Sequence, residues 1–368
     1  MADNLLPLLD TSLALLDQFY QTLSSTPTAS NQTSQPQSDG NADSAKSPSP
    51  LPLLSSSATL LKSQVTKLSL LAINSPFTPS AAVSVISAIN ESVLPSLVTA
   101  SLLITPETFT RPFHAEANVL VKTAIRELKA LLGGVKTIAV TGGKNIDERQ
   151  KEALTGSTGR IWDSCDTLVE ISQKGIIAVV VKKTEEFRDT VKDAIRELEE
   201  WDPEDDDDGF DDLLGEEDDL DEGPTPKDEE DDEEKDIEAL QDQKKHALRI
   251  LKSISQIYPA IISNRLRKTT ISSEPSSPPP PHIRKINDLT ANLQKIPDII
   301  DEAVGALYES NVKCASKFVD EASKRAVKAL EISAFSWNKE VEGAEDKFVV
   351  WARTWIKVVD EVEKSKGS

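Results

Sequence analysis

GIIAVVVKKTEEFRDTVKDAIRELEEW, residues Gly175–Trp201, is the stretch whose reading decides the fold class. Its opening, GIIAVVVKK, is β-branched and, taken alone, looks like a buried strand. The continuation reverses that reading. Ile177, Val180, Thr184, Phe187, Val191, Ala194, Leu198 and Trp201 keep a four–three spacing across 25 residues, which places them on one face of a helix. A strand of that length would be abnormal. Asp202-Pro203 follows at once and disfavours continuation of the helix.

The same rhythm recurs outward in both directions. Downstream it runs through Ile237, Leu240, Lys244, Ala247, Leu251, Ile254, Tyr258 and Ile261, with Lys244 as a charged intruder. It returns in Ile286, Leu289, Leu293, Ile296, Ile300, Ala303 and Leu307. From Trp337 it continues through Val341, Ala344, Phe348, Trp351, Trp355, Val358 and Val362. Upstream, helices are expected over residues 3–23, 57–74, 80–104, 112–140 and 147–172, with Pro95, Pro259 and Pro297 as kinks or splits. Helices with one apolar stripe pack side by side, so the fold class is all-α, with long amphipathic helices in two up-and-down bundles.

Three stretches break the pattern and set the expected domains. Residues 24–56 are rich in Ser, Thr, Pro, Asn and Gln and cannot bury a core. Residues 202–236 form an acidic linker, and residues 272–281, SSEPSSPPPP, a Pro-rich loop. The expected division is an N-terminal amphipathic helix at 1–23, a disordered linker at 24–56 and a bundle at 57–201. The acidic disordered linker at 202–236 then leads to a second bundle at 237–364. The chain carries 62 acidic and 41 basic residues, but 40 and 39 outside residues 201–236. Its acidity is therefore local, and a broad basic footprint for nucleic acid is missing.

Patterns that would carry chemistry fail at their informative positions. Setting Gly209 at position six of an EF-hand loop puts Glu204, Asp206 and Asp208 at ligand positions, but position twelve falls on Gly215, which has no side chain. VTGGKN, residues 140–145, lacks the first glycine of a phosphate loop, having Ile138 there, and has Asn145 in place of Ser or Thr. His114, His246 and His282 are isolated, and Cys165 and Cys314 lie far apart, so neither a zinc site nor a disulfide framework is expected. No cofactor, catalytic residue or membrane span is expected. The longest strongly apolar run, Ile176–Val181, ends at two lysines. Within the acidic run, Phe210, Leu213 and Leu214 form a candidate docking peptide. Ser47, Ser49, Thr225 and Ser277 each precede proline and are candidate phosphoacceptors.

GRIWDSCDTL at 159–168, VKDAIRELEEW at 191–201 and GFDDLLGEEDDLDE at 209–222 follow one another in an order that resembles the cyclin-D-binding protein (GCIP) family, in a fungal-type member. The matching positions are Trp162, Cys165, Asp193, Ala194, Glu197 and Leu198, which core packing explains as well as an interface does. The resemblance implies two helical bundles without enzymatic activity, in nucleus and cytoplasm. It also implies protein partners of cyclin or helix-loop-helix type and negative regulation of the cell cycle or transcription. Residues 24–56 depart from the family pattern. Two other readings fit the composition: a vinculin- or catenin-like bundle adaptor, and an acidic chaperone of histone-type proteins.

Overall fold

A computed structural model describes residues 4–25, 49–142, 146–203, 227–271, 281–334 and 346–364. Among these residues every regular element is helical, as the stripe spacing requires. Contacts divide the chain into two compact units. One comprises Met1–Val179 with Ile271–Ile283, the other Val180–Thr270 with Arg284–Ser368.

In the first unit, α1 (Leu5–Ser24), α2 (Pro50–Ile73), α6 (Arg111–Val140) and α7 (Glu148–Lys174) are the long rods. The rod between α2 and α6 is composite, with α3 (Pro79–Ala88), a π-helical turn (Ile89–Val93) and α4 (Leu94–Leu103), followed by the short α5 (Pro106–Phe109). Neighbouring pairs close a ring: α7 packs on α2 and α6, α6 on α1, and the composite rod on α1 and α2. The stripe of α6 (Phe113, Ala117, Val121, Ala124, Leu128, Leu131, Val135 and Ile138) is buried along its whole length. Each large side chain there contributes about 1.5–3 kcal/mol on removal from water.

Local chemistry explains the rod ends. α2 begins at Pro50, not near residue 57, because Pro50 occupies the first turn after Ser49 and Leu51 and Leu54 join the core. The Ser/Pro-rich composition upstream concealed this start. Pro95 does not split its rod. It lacks an N–H to donate back to residue 91, and the wider π turn just before it absorbs the mismatch. The composite rod Pro79–Leu103 is, by length and composition, long and apolar enough to cross a membrane; a search for unbroken apolar runs passes over it. In this fold it is a packed rod of the ring. α7 opens with a capping box, Asp147 accepting from the Gln150 N–H at 2.7 Å while the Gln150 side chain accepts from the Asp147 N–H at 3.2 Å. It ends at Gly175, whose φ of 79° lets the chain turn directly into α8 (Ile176–Glu200). Between α6 and α7 the backbone approach is tight: a Cβ on Gly134 would stand 2.7 Å from Leu154 Cδ2.

The second unit holds α8 from Val180 onward, α9 (Lys227–Ser255), α10 (Ile257–Asn264), a 3-10 turn (Leu266–Lys268), α11 (Pro281–Tyr308) from Arg284 onward, α12 (Val312–Ser333) and α13 (Lys347–Lys364). α9 packs against α12 and α13. Three features differ from the sequence expectation. First, the unit boundary falls inside α8 and not at residue 201. The Glu199 carboxylate pairs with Lys252 at 2.5 Å, Glu185 with Arg267 at 3.1 Å, and the Trp201 ring meets Tyr308 edge-on at 5.0 Å. Second, α9 starts at Lys227, inside the acidic run. Carboxylates are favoured at a helix N-terminus, where the backbone N–H groups carry partial positive charge. Third, α13 buries Phe348, Ala352, Trp355 and Val359, whereas Val358 is exposed. Phe348 and Trp355 of the expected stripe are buried, while Ala352 and Val359 take the places expected of Trp351 and Val358. Pro259 follows the break between α9 and α10 at residue 256, where its missing N–H would otherwise have bonded Ser255. Pro297 sits within α11, whose bounds run past it.

The intruding Lys244 has a specific task. Its ammonium donates to the carbonyl oxygens of Trp201 and Glu199 at the end of α8, and lies 5.8 Å from the centre of the Trp201 ring. A cation there satisfies carbonyls that the helix end leaves free. Arg265 does the same on a larger scale. Its guanidinium is 3% exposed, donates to Ser333 O at 2.6 Å and Ala334 O at 3.2 Å, forks onto Asp346 at 2.8 and 3.2 Å, and stacks 4.2 Å from the Phe348 ring centre. In the sequence Arg265 belongs to NRLRK (264–268), a run of cations that closes a helix; in the structure it is an interior clasp joining α12 to α13.

Candidate partner-binding surface

Among the described residues no group of three or more His, Cys, Asp or Glu side chains is placed to hold a metal ion. His114 is occupied structurally, with Nδ1 donating to Ile104 O at 2.5 Å and pinning the turn between α4 and α6. Cys165 is fully buried, and that burial, with the Asp166 charge beside it, pushes its thiol up to about 12. A thiol so placed stays protonated and unreactive at neutral pH. Cys314 is exposed.

What the first unit does offer is a surface. Trp162 and Cys165, three residues apart on α7, differ in burial: Cys165 enters the core, whereas Trp162, at the edge of the buried face, is 37% exposed. The indole N–H donates to Thr66 Oγ1 on α2 at 3.1 Å. One turn along, Lys62 Nζ contacts both carboxylate oxygens of Asp166 at 2.6 Å and sits 5.8 Å from the indole centre. These two pairings run in opposite chain directions, so α2 and α7 are antiparallel. The next step of that register sets Leu70, which is exposed, opposite Thr158, the residue before Gly159 on α7. No heavy atom lies within 4 Å of where a Gly159 Cβ would stand. The result is an upright, hydrogen-bonded indole with open space one turn before it and an apolar Leu70 flank.

Energetically this patch contributes little to folding. An exposed ion pair such as Lys62–Asp166 is worth about 0–1 kcal/mol, and an exposed cation–ring contact about 0.5–1 kcal/mol. They hold the indole in one orientation. A fixed, half-exposed tryptophan suits protein contact, because it offers a large apolar area at a low entropic cost.

The other sequence-derived positions separate from this surface. Asp193 and Glu197 are exposed on α8, Ala194 is half-buried, and Leu198 is fully buried. All four belong to the second unit, so the six motif positions do not form one site. Ser49 is the half-buried residue before α2. Phe210, Leu213, Leu214, Ser47, Thr225 and Ser277 lie outside the described residues, as do Trp337, residues 143–145 and the aspartates around Gly209. Sequence reading missed Thr66, Lys62 and Leu70 as companions of Trp162. Their helix is the one whose start was misplaced, and nothing in a single sequence announces an antiparallel register.

No curated protein matches the chain. Residues 53–204 match the family model described as "Grap2 and cyclin-D-interacting, N-terminal", a span that includes α2, the composite rod, α6, α7 and α8. The part of the chain spanning residues 53–204 is thus similar to the N-terminal domain of the GCIP family.

Proposed function

We propose that the protein is a non-catalytic regulator that binds cyclin or helix-loop-helix type partners and thereby restrains cell-cycle progression or transcription, in nucleus and cytoplasm. The observation that carries this reading is the position of Trp162. A residue of the family motif stands at the surface of a bundle, held by Thr66 and Lys62, where core packing alone would have buried it. The family description adds cyclin D as the first partner class to test. Binding in this reading uses the α2–α7 face as a platform for a partner helix, with the indole as anchor and the exposed Leu70 beside it.

The test is isothermal titration of cyclin D and of a helix-loop-helix dimer into the full chain and its Trp162→Ala variant. Loss of an anchoring tryptophan costs at least about 2 kcal/mol, roughly thirtyfold in affinity, while circular dichroism of the variant stays that of the parent. Absence of binding to both partner classes by the parent chain refutes the reading. Equal affinity of parent and variant removes the α2–α7 face from it.

A further inference from the structure

Along α12 the sequence KCASKFVDEASKRAVKALE sets Lys317, Lys324 and Lys328 on one helical face, since steps of seven and four residues return to the same side. The opposite face is buried through Ala315, Val319, Ala322, Ala326 and Ala329. Small alanines let α12 lie close to its neighbours, and Asn292 of α11, itself buried, donates from Nδ2 to Arg325 O at 2.6 Å. Above this join is an open groove of about 410 Å³ lined by Asn292, Lys317, Glu321, Lys324, Arg325 and Lys328. Its lining carries four cations and one carboxylate in a chain whose net charge is −21.

Local pairing leaves most of that charge unspent. Arg325 reaches Glu321 at 3.4 Å and Lys328 reaches Glu331 at 3.3 Å, both at the long end of ion pairing. Lys317 and Lys324 form no ion pair among the described residues. The three lysines spread over eleven residues of helix, about 16 Å at 1.5 Å per residue, so the complementary ligand is extended and carries several negative charges. Lysine ammoniums are point charges on flexible stems and match no fixed planar group. Glu321 in the middle of the groove disfavours a nucleic acid backbone, whose phosphates follow one another at fixed short spacing. A peptide can place its carboxylates on either side of Glu321. The negative charge of the rest of the chain is concentrated in residues 201–236 and is screened beyond roughly 8 Å at physiological salt.

We propose that the α11–α12 groove is a docking site for an acidic peptide segment of a partner protein. This site is independent of the α2–α7 reading, and neither depends on the other. The probe is a fluorescein-labelled decaglutamate peptide, titrated by anisotropy with the full chain at low and physiological salt. A Lys317→Glu/Lys324→Glu/Lys328→Glu variant is compared with a Lys67→Glu/Lys192→Glu/Lys245→Glu variant of identical net charge. The expected result is saturable binding that weakens with salt, falls about tenfold or more in the groove variant and changes by less than about twofold in the control. The milder Lys317→Gln/Lys324→Gln/Lys328→Gln variant shows the same direction, which excludes loss of fold as the cause. No binding by the full chain, or an equal loss in the control variant, overturns the proposal. Binding that emerges only when residues 204–226 are deleted also overturns it, by assigning the groove to the chain's own acidic run. An oligothymidylate bound equally well and lost in the same variant overturns it in favour of nucleic acid.

Discussion

Replacing Arg265 by Met removes the clasp between α12 and α13 and keeps most of the side-chain volume. The guanidinium gives hydrogen bonds to two backbone carbonyls and a forked pair to Asp346, and stacks on Phe348. A hydrogen bond to a charged group contributes about 1.5–3 kcal/mol, and a desolvated cation–ring contact up to about 2 kcal/mol. Against this stands the cost of burying an arginine that is 3% exposed, several kcal/mol in the interior. Asp346, with its side chain 37% exposed, returns to water when its partner goes and so adds little penalty of its own. The net expectation is a loss of about 3 kcal/mol, near the lower end for breaking a buried pair. That is roughly a hundredfold in the opening equilibrium of α13. Asp346→Asn leaves the buried guanidinium uncompensated, and the double variant loses less than the two single losses combined, because the residues are directly coupled. The hydrogen bond from Arg265 is the main reason the Asp346 carboxyl titrates below the usual carboxylate range. A folded value below the unfolded one means this contribution is present above the unfolded carboxylate range and fades as pH falls through the depressed folded value. Denaturant unfolding measures the total, and amide hydrogen exchange of Lys347–Lys364 localises it. An Arg265→Met loss under about 1 kcal/mol, or unchanged exchange in α13, would show that the segment is held by apolar packing alone.

Two further outcomes follow from single residues. Lys244→Leu restores the apolar stripe of α9 but deprives the Trp201 and Glu199 carbonyls of their cation. We expect a loss of about 1–2 kcal/mol in denaturant unfolding, and a gain in stability would mean that the stripe outweighs the cap. Among the two thiols, Cys314 reacts with an aromatic disulfide reagent in the native protein at pH 8, whereas Cys165, raised to about 12 by burial, reacts only on unfolding. Two equal native rates would contradict the buried placement.

Helix existence was legible because a stripe of apolar residues at helical spacing is a one-dimensional record of a buried face. Val180, Thr184, Val191 and Leu198, named from spacing alone, are all buried. The spacing records an average direction, however, and not what covers it. α13 shows the limit: Trp351, Ala352, Trp355, Val358 and Val359 are all apolar, and only packing against α9 selects which arc faces inward. Trp162 shows it again, since nothing local distinguishes a tryptophan that fills a core from one braced upright by Thr66 on another helix. Charged residues that serve a different element are the hardest to read. Lys244 looks like a fault in its own helix because its partners lie 43 and 45 residues away. Arg265 looks like a surface cation because its partners follow by 68 to 81 residues.

The boundary inside α8 has the same origin and a consequence for how the family domain is understood. A sequence reader cuts a chain where composition changes, and composition changes after Trp201. Contacts instead divide the chain between Val179 and Val180, within a helix that has no break in its pattern. The helix ends late because its last turns have partners in the second unit: Glu185 with Arg267, Glu199 with Lys252, and Trp201 with Lys244 and Tyr308. The matched family span, 53–204, ends just beyond those turns and before the elements they bind. The acidic run is thus anchored at its start. Trp201, the last residue before the carboxylates begin, is held through its ring by Tyr308 and through its carbonyl by Lys244. Twenty-two carboxylates follow within residues 201–236, and the Lys244 cation on the final carbonyls of α8 satisfies acceptors that the helix end would otherwise leave free, which opposes fraying of the turn that precedes them.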